Sequence, residues 1–303
     1  CEVALACGDR NVAAPCLADG QHGAATFLSP QERWAVVEVS SFMMETTTLA
    51  PDTFEAAAIL NLQEDHLDRH GSVEVYHGLK RKLLTFAVRN FVNEGMPSEH
   101  PSIRVSERLW KGSYFDNAIL AGNAAIAVEL MRVAGLDDAH IARAFRDFVP
   151  LPHRMNLIAE IGGVRYIDDS KATSLSALVA GVKMAVPGNR TILQSNNRTI
   201  LLIAGGLPKG DDPKTALSTL TERVKKVYLI GQSAEVFSAA WKSAVDCEVC
   251  GTMERAVEKA MRDAERGETV LLSPGTASFD QFKSFGERGE VFARLVKRER
   301  KDK

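Results

Sequence analysis

The feature that most constrains the fold is a set of three polar segments in the second half of the chain, each placed directly after a short apolar run. The apolar runs predict buried strands, and the polar segments begin at Asp168, Gly205 and Ser273. In an open parallel α/β sheet, ligands bind beyond the carboxyl ends of the strands. The three segments carry two lysines, an aspartate pair and several hydroxyls. We therefore expect one anion-binding site, assembled from residues that are far apart in the sequence.

The second half of the chain predicts an α/β fold with a doubly wound, Rossmann-like sheet. Strands are expected at 164–168, 199–204, 226–231 and 269–273, and helices at 174–185, 213–224, 233–244, 252–266 and 279–298. Strands that alternate with helices of roughly ten to fifteen residues are typical of βαβ units in a parallel sheet.

The first half predicts a second α/β domain with a parallel sheet. Strands are expected at 3–7, 34–39 and 56–61, helices at 73–89, 116–134 and 138–147, and loops or short strands at 91–114. Pro150 and Pro152 disfavour a continuing helix, so we place the boundary within 148–152 and the domains at 1–150 and 151–303. Because the chain opens inside a strand-like run, we expect the first domain to be incomplete at its N-terminus.

Composition narrows the class of protein. The 303 residues are 45% hydrophobic and 25% charged, as in globular proteins. A net charge of −2 gives no reason to expect a nucleic-acid partner. No apolar run approaches the ~20 residues that span a bilayer, so we expect a cytoplasmic protein without membrane insertion. The single Cys247-x-x-Cys250 pair is weak evidence for zinc or redox chemistry, and unpaired thiols in a reducing compartment are the alternative.

Two acidic segments are candidate Mg²⁺ ligands. Glu38 lies in an otherwise apolar strand, where an unpaired carboxylate is costly. His66 follows the next strand in a segment that also carries Glu64, Asp65 and Asp68. Carboxylate oxygens are ligands that Mg²⁺ prefers, although a cluster that caps a helix beside a solvated histidine explains the same pattern.

Several basic and hydroxyl residues also have two interpretations. Lys80 lies in a basic run that predicts either a solvated helix face or a site residue. Arg154 predicts either a phosphate clamp or an ion pair. Lys171 and Lys209 each close a βα turn, which makes a purely structural role a weaker alternative. In the glycine-rich turn of Lys209, backbone N–H groups can also face an anion. Ser278 is either a site hydroxyl or the N-cap of the final helix.

The usual nucleotide, hydrolase and protease motifs do not occur in the sequence. It contains no Gly-x-x-x-x-Gly-Lys-Ser/Thr phosphate loop, no Gly-x-Gly-x-x-Gly fingerprint and no His-Glu-x-x-His helix. A Gly-x-Ser-x-Gly elbow is missing too. Hydrolase, zinc-protease and dinucleotide-oxidoreductase functions therefore lose their main support.

Five segments in order carry a resemblance to a known family. They are EVSSFMMET from residue 38, NLQEDHLDR from 61, LPHR from 151, DDSKAT from 168 and SPGTASFDQFKSF from 273. Together they resemble the Mur ligases of peptidoglycan synthesis, most closely the branch that adds D-glutamate. The resemblance implies an amide ligase that uses ATP and Mg²⁺ to join D-glutamate to UDP-N-acetylmuramoyl-L-alanine through an acyl phosphate.

The resemblance also implies roles for individual residues, by position. Catalytic and metal-holding roles fall on Glu38, His66 and Lys80, the last matching a lysine that is carbamylated in the family. Substrate roles on the UDP-sugar side fall on Asn11 and Ser40. The D-glutamate pocket is implied at Lys171, Thr173, Lys209, Ser278 and Phe285. Contacts to ATP are implied at Asn123, Arg154 and Asp169.

The chain departs from the family pattern in several places. The N-terminal UDP-binding domain and the phosphate loop of the family are missing, so we expect a fragment that is inactive alone. Ala13, Met43 and the pair Ile119-Leu120 stand where the family has other residues. A related ligase with another acceptor amino acid and a non-catalytic D-glutamate-binding paralogue remain alternatives.

Overall fold

The computed structural model of the chain describes residues 2–7, 25–28, 33–63, 66–98, 100–106, 110–185 and 198–299, with the backbone alone at 2–7, 25–28, 33, 68 and 299. The chain divides into two compact units, Cys1–Phe148 and Val149–Lys303. Each of the described hydrophobic core clusters lies within one of these units.

The first unit contains a mixed sheet. Its described strands are β1 (Glu2–Cys7), β2 (Ala25–Leu28), β3 (Arg33–Val39), β4 (Phe54–Ile59), β5 (Ala87–Asn93) and β6 (Ile103–Val105). They lie in the order β2-β3-β1-β4-β5-β6. Strands β4, β5 and β6 are parallel, whereas β1 is antiparallel to both β3 and β4, and β2 is antiparallel to β3.

Five α-helices accompany the described strands of the first unit. They are α1 (Ser41–Thr46), α2 (Leu67–His70), α3 (Val73–Lys82), α4 (Ala121–Val133) and α5 (Asp138–Asp147). A 3₁₀ turn at Leu83–Phe86 follows α3 directly.

Two predicted helices of the first unit are too long. The helix predicted at 73–89 ends at Lys82, because β5 begins at Ala87 and buries Phe91 and Val92 in the sheet. The helix predicted at 116–134 begins at Ala121. The preceding residues form a turn in which the Asn117 side chain accepts a hydrogen bond from the Leu120 amide (3.0 Å).

The second unit is a doubly wound sheet, which confirms the α/β fold class. Its strands are β7 (Asn156–Ile161), β8 (Val164–Asp168), β9 (Ile200–Gly205), β10 (Val224–Ile230), β11 (Asp246–Gly251) and β12 (Thr269–Leu272). Their order is β11-β10-β9-β12-β8-β7, and every described pair is parallel except β7 with β8.

Helices cover both faces of this sheet. They are α6 (Leu175–Met184), α7 (Leu217–Arg223), α8 (Ala234–Trp241), α9 (Met253–Asp263) and α10 (Phe285–Glu299). Helices α6, α7 and α8 pack in one core cluster, and α9 and α10 pack in the other. Strand β9 is buried along its whole length because it is central and covered on both sides. A 3₁₀ turn at Pro213–Ala216 precedes α7.

The sequence prediction missed two strands and misplaced one helix in the second unit. Strands β7 and β11 are edge strands that mix polar and apolar residues, so neither gives a continuous apolar run. The final helix begins at Phe285 rather than at residue 279. Within the described part of the chain, no helix has both the length and the apolarity needed to cross a membrane.

Candidate functional site

The three polar segments of the second unit meet at one edge of the sheet. Strands β9, β12 and β8 are neighbours in that order, and being parallel they end on the same side. The segments that follow them carry Lys209, Ser278 and Lys171 respectively. The amide of Asp169 donates to the carbonyl of Leu272 (2.8 Å), which links the end of β8 to the end of β12. The fold therefore gathers at one edge the groups that the sequence scatters over about 110 residues.

Glycine allows the segments after β9 and β12 to approach closely. Gly206 has φ +146°, and a Cβ atom there would lie 2.4 Å from the carbonyl oxygen of Ala277. The next amide, that of Leu207, donates to the same carbonyl (2.9 Å). Because no larger residue fits this contact, Gly206 fixes the spacing between the two segments.

Lys171 and Phe285 contact each other at the end of β8. The Lys171 ammonium lies 4.4 Å from the centre of the Phe285 ring, a cation–π contact. The Lys171 amide donates to the carbonyl of His153 (3.0 Å). Two of the predicted acceptor residues are therefore neighbours in the structure.

Ser278 does not cap the final helix. It is buried, and its carbonyl accepts hydrogen bonds from the amides of Gln281 (3.2 Å) and Phe282 (2.9 Å) in a turn that precedes the helix. The side chain of Ser284 caps α10 instead, accepting from the amide of Glu287 (3.1 Å). The capping alternative for Ser278 is wrong because the turn delays the start of the helix by six residues relative to residue 279.

Lys209 lines a cavity of about 260 Å³ beyond the ends of β9 and β12. The remaining lining residues are Leu175, Pro208, Gly210, Asp211, Ser233, Val236, Phe237, Gly275 and Thr276. The hydroxyl of Thr276 is buried and has no hydrogen-bond partner within the described residues. The lining of the cavity thus combines one lysine and one aspartate with a largely apolar wall.

Two adjacent aspartates at the end of β8 have different surroundings. Asp168 pairs with the imidazole of His153 (Oδ2 to Nδ1, 2.7 Å). Asp169 accepts from the Ser273 hydroxyl (2.9 Å), and burial raises its pKa to about 7 although Arg154 favours its charged form. Arg154 itself is exposed. Of the two predicted ATP contacts in the second unit, Arg154 is therefore an exposed cation. Asp169 is a buried carboxyl group whose charge depends on the groups around it.

The first unit holds the remaining predicted residues. The sequence suggests a buried Glu38 and an exposed Lys80, and the structure shows the reverse. Glu38 is exposed, so the argument from burial does not apply to it. Lys80 is 4% exposed, which excludes a solvated basic face. Its ammonium lies 4.7 Å from the centre of the Tyr76 ring and 3.4 Å from the carbonyl oxygen of Asn61. His66 adopts the left-handed conformation (φ 55°) and its ring contacts that of Tyr76.

Two more predicted residues of the first unit, Ser40 and Asn123, lie on different elements, and the described contacts do not join them in one site. Ser40 caps α1, accepting from the amide of Met43 (3.2 Å). Asn123 lies on α4. Asn11 is outside the described residues.

The metal prediction for Glu38, His66 and Lys80 stays a prediction. Among the described side chains, which do not include Glu64, Asp65 and Asp68, no three His, Cys, Asp or Glu residues are grouped as metal ligands. Lys80 is placed as a cation over an aromatic ring. Of the three predicted residues, Glu38 and His66 would supply one carboxylate and one imidazole.

Sequence reasoning missed three polar residues of the second unit: His153, Thr276 and Arg288. His153 lies in the LPHR segment beside Arg154, and no sequence pattern distinguishes it as a site residue. Arg288 is buried, and its guanidinium contacts the segments after β8 and β12. The only available signal was its position one turn after Phe285 in the final helix.

Comparison with known proteins matches both units to one family. The Mur ligase middle domain matches residues 18–101, and the Mur ligase glutamate ligase domain matches residues 153–276. The UDP-N-acetylmuramoylalanine--D-glutamate ligase of Nitratidesulfovibrio vulgaris strain Hildenborough is 35% identical over 274 residues, covering 86% of this chain and 60% of that protein. The protein of the same name from Acidobacterium capsulatum is 33% identical over 314 residues, covering 88% and 64%.

Solved structures share the fold. UDP-N-acetylmuramate-alanine ligase MurC from Thermotoga maritima superposes with a TM-score of 0.58 at 15% identity, covering 87% of this chain and 62% of that chain. FolC from E. coli in complex with ADP gives a TM-score of 0.56 at 19% identity, covering 80% and 62%. The chain spans about 60% of the length of the curated relatives it matches.

Proposed function

Because this chain belongs to the Mur ligase family, we propose that it serves an ATP-dependent amide ligase of peptidoglycan synthesis that adds D-glutamate to UDP-N-acetylmuramoyl-L-alanine. In the proposed reaction, the γ-phosphoryl group of ATP is transferred to the carboxylate of the alanine, and ADP leaves. The amine of D-glutamate then attacks the acyl phosphate, the C–N bond forms, phosphate leaves and the amine loses a proton. The names of the relatives at 30–35% identity support this substrate pair. A reaction that consumes ATP and a UDP-sugar belongs to the cytoplasm.

One observation carries the acceptor part of the proposal: three adjacent strand ends bring two lysines and a buried serine to one edge of the second sheet. D-Glutamate presents two carboxylates, and charge-assisted hydrogen bonds from ammonium groups are the strong way to hold them. We assign the carboxylates to Lys171, Lys209, Thr173 and Ser278, with Phe285 beneath the Lys171 ammonium. Binding through the two carboxylates would leave the amine of D-glutamate free to act as the nucleophile.

The nucleotide and metal assignments are further parts of the proposal. The exposed guanidinium of Arg154 suits a phosphate group, and Asp169 and Asn123 supply polar contacts for the rest of the nucleotide. Glu38 and His66 would offer Mg²⁺ a carboxylate and an imidazole, with phosphate oxygens as its further ligands. The metal would neutralise charge that develops on the transferred phosphoryl group. Asn11 and Ser40 are assigned to the UDP-sugar.

Calorimetric titration of the chain with amino acids tests the acceptor assignment. We expect D-glutamate to bind more tightly than L-glutamate or D-alanine, because only D-glutamate presents both carboxylates in the required arrangement. Lys209→Met and Ser278→Ala should each weaken D-glutamate binding by about 1–3 kcal/mol, the usual loss when a hydrogen bond to a charged group is left unmade.

Lys225→Met is the matched control for Lys209→Met. Lys225 pairs with Glu265 and Glu268 at the start of β10, at the opposite edge of the sheet. Its substitution should leave D-glutamate affinity unchanged. Equal affinities for the three amino acids would refute the assignment and favour a ligase with another acceptor.

A further inference from the structure

Arg288 is a fully buried cation near the start of α10 (0% exposed). Its Nε donates to the hydroxyl of Ser170 (3.0 Å), and its Nη2 donates to the carbonyl of the same residue (2.9 Å). Both Nη atoms donate to the carbonyl of Thr276, and Nη1 also donates to that of Ala277 (each 3.2 Å). One side chain therefore joins the segment after β8 to the segment after β12.

The same network extends to the third segment and to α10. The carbonyl of Ala277 also accepts from the amide of Leu207, in the segment after β9. The hydroxyl of Ser170 donates to the carbonyl of Phe285 (2.8 Å), the residue whose ring lies under the Lys171 ammonium. Arg288 is thus one or two hydrogen bonds away from every segment that carries a proposed acceptor residue.

The chemistry of the guanidinium suits this arrangement. Its planar fork of five N–H donors can satisfy several carbonyl groups at fixed angles, which a lysine ammonium cannot do from a single atom. The acceptors in these five hydrogen bonds are one hydroxyl and three carbonyl oxygens, with no carboxylate among them. Burial lowers the pKa of Arg288 to about 10, so the side chain keeps its charge at neutral pH.

We propose that Arg288 is a positioning residue that sets the spacing of Lys171, Ser278 and Phe285 for the acceptor amino acid. The proposal rests on the assignment of these residues to D-glutamate. Arg288 does not touch the acceptor in this scheme. It acts by fixing the backbone on both sides of the site before the acceptor binds.

Two substitutions and a matched control test the proposal by calorimetry with D-glutamate. Arg288→Lys keeps the charge but cannot span both segments, and we expect its D-glutamate affinity to fall about tenfold or more, since small displacements of positioning groups are costly. Ser170→Ala removes two hydrogen bonds of the network and should give a smaller loss. Phe292→Leu shortens a buried side chain one turn further along α10, in the core rather than in the network. At a temperature where every variant is folded, it should bind D-glutamate as the parent does.

Hydrogen exchange of the ligand-free protein provides a readout that does not depend on D-glutamate. The amides of Leu207 and Gly275 donate across the segments, to the carbonyls of Ala277 and Ala172. In Arg288→Lys these two amides should lose protection selectively, whereas Phe292→Leu should affect the core of α10. If the parent binds no D-glutamate, the proposed function fails while this exchange test still decides the role of Arg288. Unchanged exchange at both amides, or equal affinity losses in Arg288→Lys and Phe292→Leu, would overturn the proposal.

Discussion

At the scale of single residues, Asp169 is a carboxyl group whose pKa is raised by its surroundings. Its carboxyl is buried at the end of β8, and this burial is the largest contribution to its raised pKa of about 7. Hydrogen bonds from the Ser273 hydroxyl and the Met155 amide, and the charge of Arg154, oppose the shift without cancelling it. The folded protein therefore holds a proton at Asp169 over a pH range in which the unfolded chain has already released it.

This shift predicts that Asp169→Asn changes how stability depends on pH. Because the folded pKa is raised above the ordinary value of 3.8, the contribution of Asp169 to the free energy of unfolding falls as the pH rises from about 4 to about 7 and is constant above that range. Asparagine does not titrate. The stability of the variant relative to the parent should therefore rise by up to about 4 kcal/mol between pH 4 and pH 8.

Urea denaturation of both proteins at several pH values measures this difference. Comparing the two proteins at each pH removes the contribution of all other titrating groups. A difference in stability that stays the same from pH 4 to pH 8 would mean that Asp169 titrates normally in the folded chain.

The residue scale also shows what the sequence could and could not predict. Lys171, Lys209 and Ser278 were identified because βα turns in a parallel sheet follow from the alternation of strands and helices. The burial of Lys80 and the exposure of Glu38 were not predictable, since each depends on which face of its element packs against the core. Tertiary packing determines which face is buried, and the local sequence pattern does not contain this information.

At the scale of elements, the position of the Cys-x-x-Cys pair in strand β11 determines whether its two cysteines can form a disulfide. Cys247 and Cys250 pack in the two core clusters on opposite faces of the sheet. Three residues along a strand span about 10 Å, whereas bridged cysteines have Cα atoms about 4.4–6.8 Å apart. The geometry therefore excludes a disulfide between them while the strand is intact.

Thiol chemistry should reflect this placement. Burial raises the pKa of Cys247 to about 11 and also raises that of Cys250. At pH 8 the thiolate fraction of Cys247 is then on the order of 100-fold below that of an ordinary cysteine with a pKa of about 8.5. We expect slow alkylation of both residues in the folded protein, fast alkylation in urea, and no link between them after treatment with diamide. Peptide mass spectrometry that found this link in folded protein would contradict the assignment.

Element boundaries mark the limit of prediction at this scale. The central strands β8, β9 and β12 were predicted within one residue at each end because both of their faces are buried and their apolar runs are continuous. The edge strands β7 and β11 interrupt their apolar residues with polar ones, and the sequence does not distinguish them from loops. The start of α10 was misplaced because residues 279–284 have a helical pattern but form a turn around the Ser278 carbonyl.

At the scale of the whole molecule, all residues assigned to binding the acceptor amino acid lie in the second unit. Lys171, Thr173, Lys209, Ser278 and Phe285 all fall within Val149–Lys303. So do Arg288 and both core clusters that cover the faces of the second sheet. The candidate Mg²⁺ ligands Glu38 and His66 fall in the first unit. Acceptor recognition and metal binding are therefore assigned to different units of the chain.

This division predicts that residues 149–303 fold and bind the acceptor without residues 1–148. A sheet covered by helices on both faces buries its own core, as an independent domain must. We expect the isolated segment to unfold cooperatively in urea, followed by circular dichroism, and to bind D-glutamate within about twofold of the full chain, because every assigned acceptor contact is retained. Arg288→Lys should weaken binding in the isolated segment as much as in the full chain, since its hydrogen-bond partners are all present in both. A segment that folds but binds D-glutamate much more weakly than the full chain would show that the first unit contributes to the acceptor site.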